Sequence, residues 1–316
     1  VNEGKAIWLK NKSEIEEAEY NEFYKSIAFN GDDAPYMTLH NKAEGLIEYT
    51  NLLFIPNNKP FDLFHPDRQT RIKLYIKRVL ISEKLDIIPQ YLRFLQGVVD
   101  SDDLPLNISR ETIQNSAQVQ KISESITKRV LKELSRKSKN DRENYLSFWA
   151  NFGAVIKEGL CEGVAPRDEI LDACLFNVNT NEEPISLKEY KENIKEGQKS
   201  IYFINAENRE NALSSPQIEG FVKRGYEVIL LTDSVDDFWV NVVHEFDGLP
   251  IKSVTKAGSD LDDESTNKND KKAEDNKDEN KETNAGFEEL VAFIKETLGD
   301  KIENARTTSR LSDSPV

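Results

Sequence analysis

Between residues 200 and 256 three short apolar runs, "SIYFIN", "YEVILLT" and "LPIKSVT", are separated by "ENRENALSSPQIEGFVKRG" and "SVDDFWVNVVHEFDG", both apolar at helical period. An order of strand, helix, strand, helix, strand leaves few topologies. A helix between two strands carries the chain back along the sheet, so the strands run parallel and the crossover is right-handed. The spacing predicts a small α/β unit with a parallel sheet over 185–256.

Sheets of this kind often bind nucleotides at the carboxyl ends of their strands. Here "FINAENRENA" has no glycine where a backbone would approach phosphate. The chain also lacks G-x-x-x-x-G-K-[ST], G-x-G-x-x-G after a strand, and G-x-S-x-G. A free-standing enzyme built on this unit is therefore a minor reading.

Upstream, "SEIEEAEYNEFYKSIAFN" opens with a hydroxyl and an acidic turn, then places Ile15, Tyr20, Phe23, Tyr24 and Ile27 at helical spacing. "GLIEYTNLLFIP" and "RIKLYIKRVLIS" read as half-buried strands, and "IIPQYLRFLQGVVD" as a short helix and strand. From 109 to 136 an apolar stripe of Ile113, Val119, Ile122, Ile126, Val130, Leu131 and Leu134 marks one long helix. These elements form a first unit, 1–137.

Gly159, Gly163 and Pro166 break the next helical stretch into a connector, 138–184. Residues 257–285 have almost nothing apolar to offset the entropy of ordering and read as a disordered acidic linker. Residues 286–316 regain an amphipathic helix too short for its own core, the truncated start of a further domain. The class is α/β (α+β): a large αβα sandwich, a helical connector and a second small α/β unit.

The net charge of −15 argues against nucleic acid as the main partner. No apolar run reaches the length of a membrane span. The start, "VNEGKAIWLK", has neither a signal core nor Met, which suggests a cytoplasmic protein and a fragment. Two cysteines, Cys161 and Cys174, and three scattered histidines predict neither a disulfide framework nor a metal site.

Several motifs carry two readings. "HPDR" at 65–68 matches the tripeptide of J-domain cochaperones but lacks their flanking helices. In "KPFDLFHP", Phe61, Leu63 and Phe64 either return to the core or stand out as an apolar knob for another domain. Trp8 has the same ambiguity. Phe238 and Trp239 are neighbours on a predicted helix and cannot both face one core, so one is a candidate surface contact.

Arg110, in "SDDLPLNISRETIQNS", stands where a helix start would favour an acid. It either pairs locally with Asp102, Asp103 or Glu111, or joins Asn107 and Gln114 in a donor cluster suited to a phosphate delivered from elsewhere.

"EEAEYNEFYKSIAF", "LLFIPNNKPFDLF", "GVVDSDDLPLNISRETIQNS", "ISLKEYKENIKEGQKSIYFIN", "GYEVILLTDSVDDF" and "EFDGLPIKSVTK" resemble, in order and over nearly the whole chain, the middle segment of the heat shock protein 90 chaperones. "YLRFLQGVVDS", "FWANFGAVIKEG" and "RLSDSP" lean toward the bacterial form. The resemblance implies an ATP-dependent homodimeric chaperone of client proteins, whose ATP and Mg²⁺ are held mainly by an amino-terminal ATPase domain absent from this chain. It implies that Arg110 reaches the ATP γ-phosphate, with Gln114 and Asn107 on the same catalytic loop. Phe61 then falls in a loop at the interface between the two domains, and Trp8 at a position tied to client contact and switching. A non-catalytic protein-binding scaffold is the alternative.

Overall fold

Residues 37–101 supply one mixed five-stranded sheet. The computed structural model describes residues 6–28, 34–45, 47–65, 68, 71–83, 87–105, 116–163, 165–258, 260–261 and 290–297. Strands β1 (Met37–Ala43), β2 (Tyr49–Ile55), β3 (Arg71–Ile76), β4 (Val79–Ser82) and β5 (Gln96–Ser101) lie in the order β1-β2-β5-β3-β4. β1 pairs antiparallel with β2, β2 antiparallel with β5, and β5 parallel with β3. β1 was not among the predicted strands, because "HNKA" fills half of it with polar or small residues; pairing with β2 along its full length creates it.

"RIKLYIKRVLIS", expected as one strand, folds back on itself as the β3–β4 hairpin. Its turn residues, Lys77 and Arg78, have φ of 49° and 69°. A two-residue turn between right-twisted strands demands that left-handed pair, normally supplied by Asn-Gly, so no glycine betrays it in the sequence. Arg78 N donates to Asp100 Oδ1 (3.3 Å), which ties the turn to β5. Gly97 in β5 is required for a different reason. At its φ of +143°, a β carbon would lie 2.1 Å from the Leu52 carbonyl oxygen of β2.

Leu52 and Phe54 on one sheet face pack with Phe23 and Tyr24 of α1 (Glu17–Ile27). Alternation along β2 sends Tyr49 to the other face. There its hydroxyl donates to Ser125 Oγ (2.8 Å) of α2 (Ala117–Asn140). Phe148 and Phe152 of α3 (Arg142–Lys157) contact Phe94, and α4 (Arg167–Ala173) lies against α2. The layers are helix, sheet, helix. α1 starts at a reciprocal cap in which Glu16 N donates to Glu19 Oε2 (3.1 Å).

Two compact units divide the chain, Val1–Leu175 and Phe176–Val316. α3 and α4, expected in a separate connector over 138–184, belong to the first unit, because their aromatic and aliphatic side chains complete its core.

In the second unit β6 (Asn177–Val178), β7 (Ile201–Asn205), β8 (Val228–Leu231), β9 (Glu245–Phe246) and β10 (Leu249–Ser253) are ordered β6-β8-β7-β10-β9. The inner three strands are parallel, and each edge strand is antiparallel to its neighbour. Helices α5 (Leu187–Glu192), α6 (Arg209–Leu213), α7 (Glu219–Lys223) and α8 (Asp236–Trp239) connect them. "SVDDFWVNVVHEFDG" is helical only in α8. It then enters the β9–β10 hairpin through Asp247 and Gly248, at φ of 48° and 79°.

The core of this unit gathers Tyr202, Ile204, Phe221, Tyr226, Val228 and Leu230, and extends to Ala257 and Leu261. Those last two correct the linker boundary: they are fully buried, so the polar segment begins after Leu261. Residues 262–289 and 298–316, with the rest of the expected linker and most of the expected dimerisation segment, lie outside the described residues. Residues 290–297 are helical, with Leu290 and Phe293 exposed. Among the described residues no helix is long and apolar enough to cross a membrane.

Candidate functional site

The loop before β3 separates its three apolar side chains. Phe61 is 87% exposed and Phe64 53%, whereas Leu63 is 1% exposed and belongs to the core. Local turns set this up: Leu63 N donates to Pro60 O (3.1 Å) and His65 N to Asp62 O (3.0 Å). Charge fixes the loop from below. Asp62 accepts from Arg68, whose guanidinium is almost wholly buried, and from Arg71 (2.9 Å). Arg93 Nε donates to Leu63 O (2.8 Å), while its two terminal nitrogens clasp Glu158 at 2.5 and 2.8 Å. A two-point arginine–carboxylate pair of this kind resists rotation as well as separation. The Arg93 guanidinium also lies 5.6 Å from the Phe64 ring centre. The result is a braced loop that presents Phe61 to solvent.

Trp8 is half-buried and doubly tied. Its indole N–H donates to Asp100 Oδ2 (2.9 Å), and its ring lies 5.0 Å from Tyr75 and 5.8 Å from Phe23. Its carbonyl accepts from His40 Nε2 (3.0 Å). A carbonyl can only accept, so His40 Nε2 carries the proton and Nδ1 accepts from Tyr20 OH (2.8 Å). That is a neutral imidazole, and burial holds its pKa below the ordinary histidine value.

Phe238 and Trp239 take opposite sides. Trp239 is 1% exposed, packs on Phe176 and donates to Asp236 Oδ1 (2.7 Å), so it is an interior residue. Phe238 is 66% exposed.

Asn107, Arg110 and Gln114 lie outside the described residues, in the segment 106–115. Its two flanks are held. On one side Glu48 N donates to Asp103 Oδ2 (2.6 Å), Ser101 Oγ donates to Glu48 O (2.8 Å), and Leu104 is buried. On the other, Ser116 O accepts from Gln120 N (3.0 Å) as α2 begins. Asp103, one of the anions considered as a local partner for Arg110, is thus engaged with the backbone of Glu48.

At the carboxyl end of β7, Asn205 bonds Asp237, and the Asn208 side chain accepts from Asn211 N (2.8 Å) to cap α6. These internal contacts use the donors a phosphate would need. Among the described residues no three His, Cys, Asp or Glu side chains are grouped to hold a metal ion.

The Hsp90 protein family profile matches residues 1–316. The chain belongs to the Hsp90 family. It is 50% identical over 317 residues to the chaperone protein HtpG of Rickettsia canadensis, and 49% identical over 320 residues to that of Ehrlichia canis. Both alignments cover all of this chain and 50% of the relative, so the chain spans about half the length of these curated relatives. The middle domain of a Plasmodium falciparum heat shock protein superposes with a TM-score of 0.71 at 29% identity, covering 79% of this chain and 100% of that one. This Hsp90-family chain accordingly shares the mixed α/β fold of that middle domain.

Sequence reasoning did not find the Asp62, Arg68, Arg71, Arg93 and Glu158 bracing or the Tyr20–His40–Trp8 chain. One signal for the first was present: Arg93 interrupts the otherwise apolar "YLRFLQG". The second joins residues far apart in sequence and left no local pattern.

Proposed function

We propose that the chain is the central part of an ATP-driven chaperone and that it contributes Arg110 to the γ-phosphate of ATP bound by an amino-terminal domain. The observation that carries this reading is the family match along the entire chain, which spans only half of its curated relatives. The donor chemistry fits. A planar guanidinium with two amides nearby, Asn107 and Gln114, suits the spread negative charge of a transferring phosphoryl group. ATP with Mg²⁺ would be held mainly by that other domain and would supply the scissile phosphate bond; this chain orients and neutralises.

An arginine arriving only on docking makes hydrolysis conditional on closure. Phe61, exposed on a braced loop, is the proposed apolar contact for the docking domain, with Phe64 beside it. Phe238 is a proposed contact for client proteins, and Trp8 a proposed switching element. The working form is a cytoplasmic homodimer.

The test is ATP turnover by the longer protein carrying Arg110→Ala. Turnover should fall by about 10³ or more, the scale of inserted arginines in phosphoryl transfer, with ATP affinity largely kept. Turnover at the parental rate would leave the non-catalytic scaffold reading in its place.

A further inference from the structure

Where β5 leaves the sheet, side chains take over from the ladder. The last β2–β5 pair is Tyr49 with Ser101, and the same register continued would set Glu48 opposite Asp102. Strand β5 ends at Ser101 instead, and both backbone groups of Glu48 are met by side chains. Glu48 N donates to Asp103 Oδ2 (2.6 Å), and Glu48 O accepts from Ser101 Oγ (2.8 Å). Ser101 Oγ in turn accepts from Asp103 N (3.4 Å), which closes a ring through the three residues.

Other contacts pin the same point. Ser101 is fully buried, and its carbonyl accepts from Lys77 N (3.1 Å) in the β3–β4 turn. Leu104, also buried, is a peg in the core one residue beyond the ring. From Leu104 to Arg110 is six residues, a reach of at most roughly 20 Å. Over so short a stretch, freedom at the departure point is passed on to the arginine. Asp103 is itself exposed and holds a backbone amide at the surface, which can turn to water if the acceptor is removed. Little of the fold's stability therefore hangs on it.

We propose that Asp103 and Ser101 are positioning residues for Arg110: their clasp on Glu48 fixes where the chain departs from β5, and with it the placement of the arginine on ATP. This rests on the role given to Arg110 above. The chemistry accounts for the residue types. Position 103 needs an acceptor, and position 101 needs a small group that donates and accepts at one atom. Position 48 contributes only its backbone.

The test is made in the longer protein, at a temperature where circular dichroism shows every variant folded. Asp103→Ala should lower kcat for ATP by about 10- to 100-fold, the scale of a misplacement of about 1 Å, with KM unchanged. Asp103→Asn loses the charge but keeps an acceptor oxygen, and should stay within about threefold of the parent. Hydrogen exchange at the Glu48 amide should be slow in the parent and in Asp103→Asn, and faster in Asp103→Ala. In an Arg110→Ala background Asp103→Ala should cost nothing further, since it acts through that arginine. Parental kcat in Asp103→Ala, an asparagine variant as slow as the alanine one, or a full further loss in the Arg110→Ala background would each overturn the clasp and leave the role of Arg110 standing. Parental turnover in Arg110→Ala alone would instead remove the reading beneath it, and the clasp with it.

Discussion

Phe61 and Leu63 stand two residues apart in one loop, and truncating each to alanine should separate docking from folding. Phe61 is 87% exposed. About 25 Å² of its surface is covered, so Phe61→Ala forfeits about 0.6 kcal/mol at ~25 cal/mol per Å². Leu63 is 1% exposed, and its removal leaves a hole that the surroundings must close. The loop cannot easily sink into it, because Asp62 is held by Arg68 and Arg71 and the Leu63 carbonyl by Arg93. Leu63→Ala should therefore cost about 3 kcal/mol, in the lower half of the range for buried leucines.

Urea unfolding followed by tryptophan fluorescence measures both. Trp8 and Trp149 report the first unit, and Trp239, in the second, should hold its own midpoint. In the longer protein, Phe61→Ala should lower ATP turnover while stability stays close to parental. If Phe61→Ala shifts the midpoint as far as Leu63→Ala does, the loop is not presented outward and the argument fails.

Replacing the turn residues by Lys77→Asn and Arg78→Gly should stabilise the first unit by about 1 kcal/mol, since both positions need positive φ; the check is the urea midpoint, and a decrease would count against the turn assignment. Gly97→Ala should destabilise by at least about 3 kcal/mol, combining left-handed backbone strain with a contact that forces β5 from β2, and the variant should express poorly or melt early. His40 has a folded pKa below its unfolded value, so the unfolded chain takes up the proton first. Stability contributed by neutral His40 is present above pH 6.5 and is lost as pH falls from there toward the folded pKa. Melting temperature should decline across that window, and His40→Gln should flatten the decline.

The parallel strands of the second unit, α1 and the apolar stripe of α2 were all legible in the sequence, because hydrophobic period is a local property that each segment carries by itself. The donor cluster around Arg110 was read from residue chemistry and family resemblance alone, and its residues lie outside the described ones. Other features were not local. β1 became a strand only by pairing with β2, and the β3–β4 turn used Lys77 and Arg78 where a glycine signal would normally stand. The edge strands β6 and β9 are two residues each, too short to show any alternation.

Sequence by itself determined which segments had to bury a face, where charge was concentrated, and which family the motifs belong to. Tertiary structure alone decided which of two nearby apolar residues faced water: Phe61 over Leu63, Phe238 over Trp239. The physical reason is that exposure depends on what lies beneath a side chain. Arg93, Glu158 and Asp62 brace one loop, and Asp236 with Phe176 receives the indole of Trp239 in the other unit. Arg93, Glu158 and Phe176 come from distant positions in the chain, and only folding brings them to these loops.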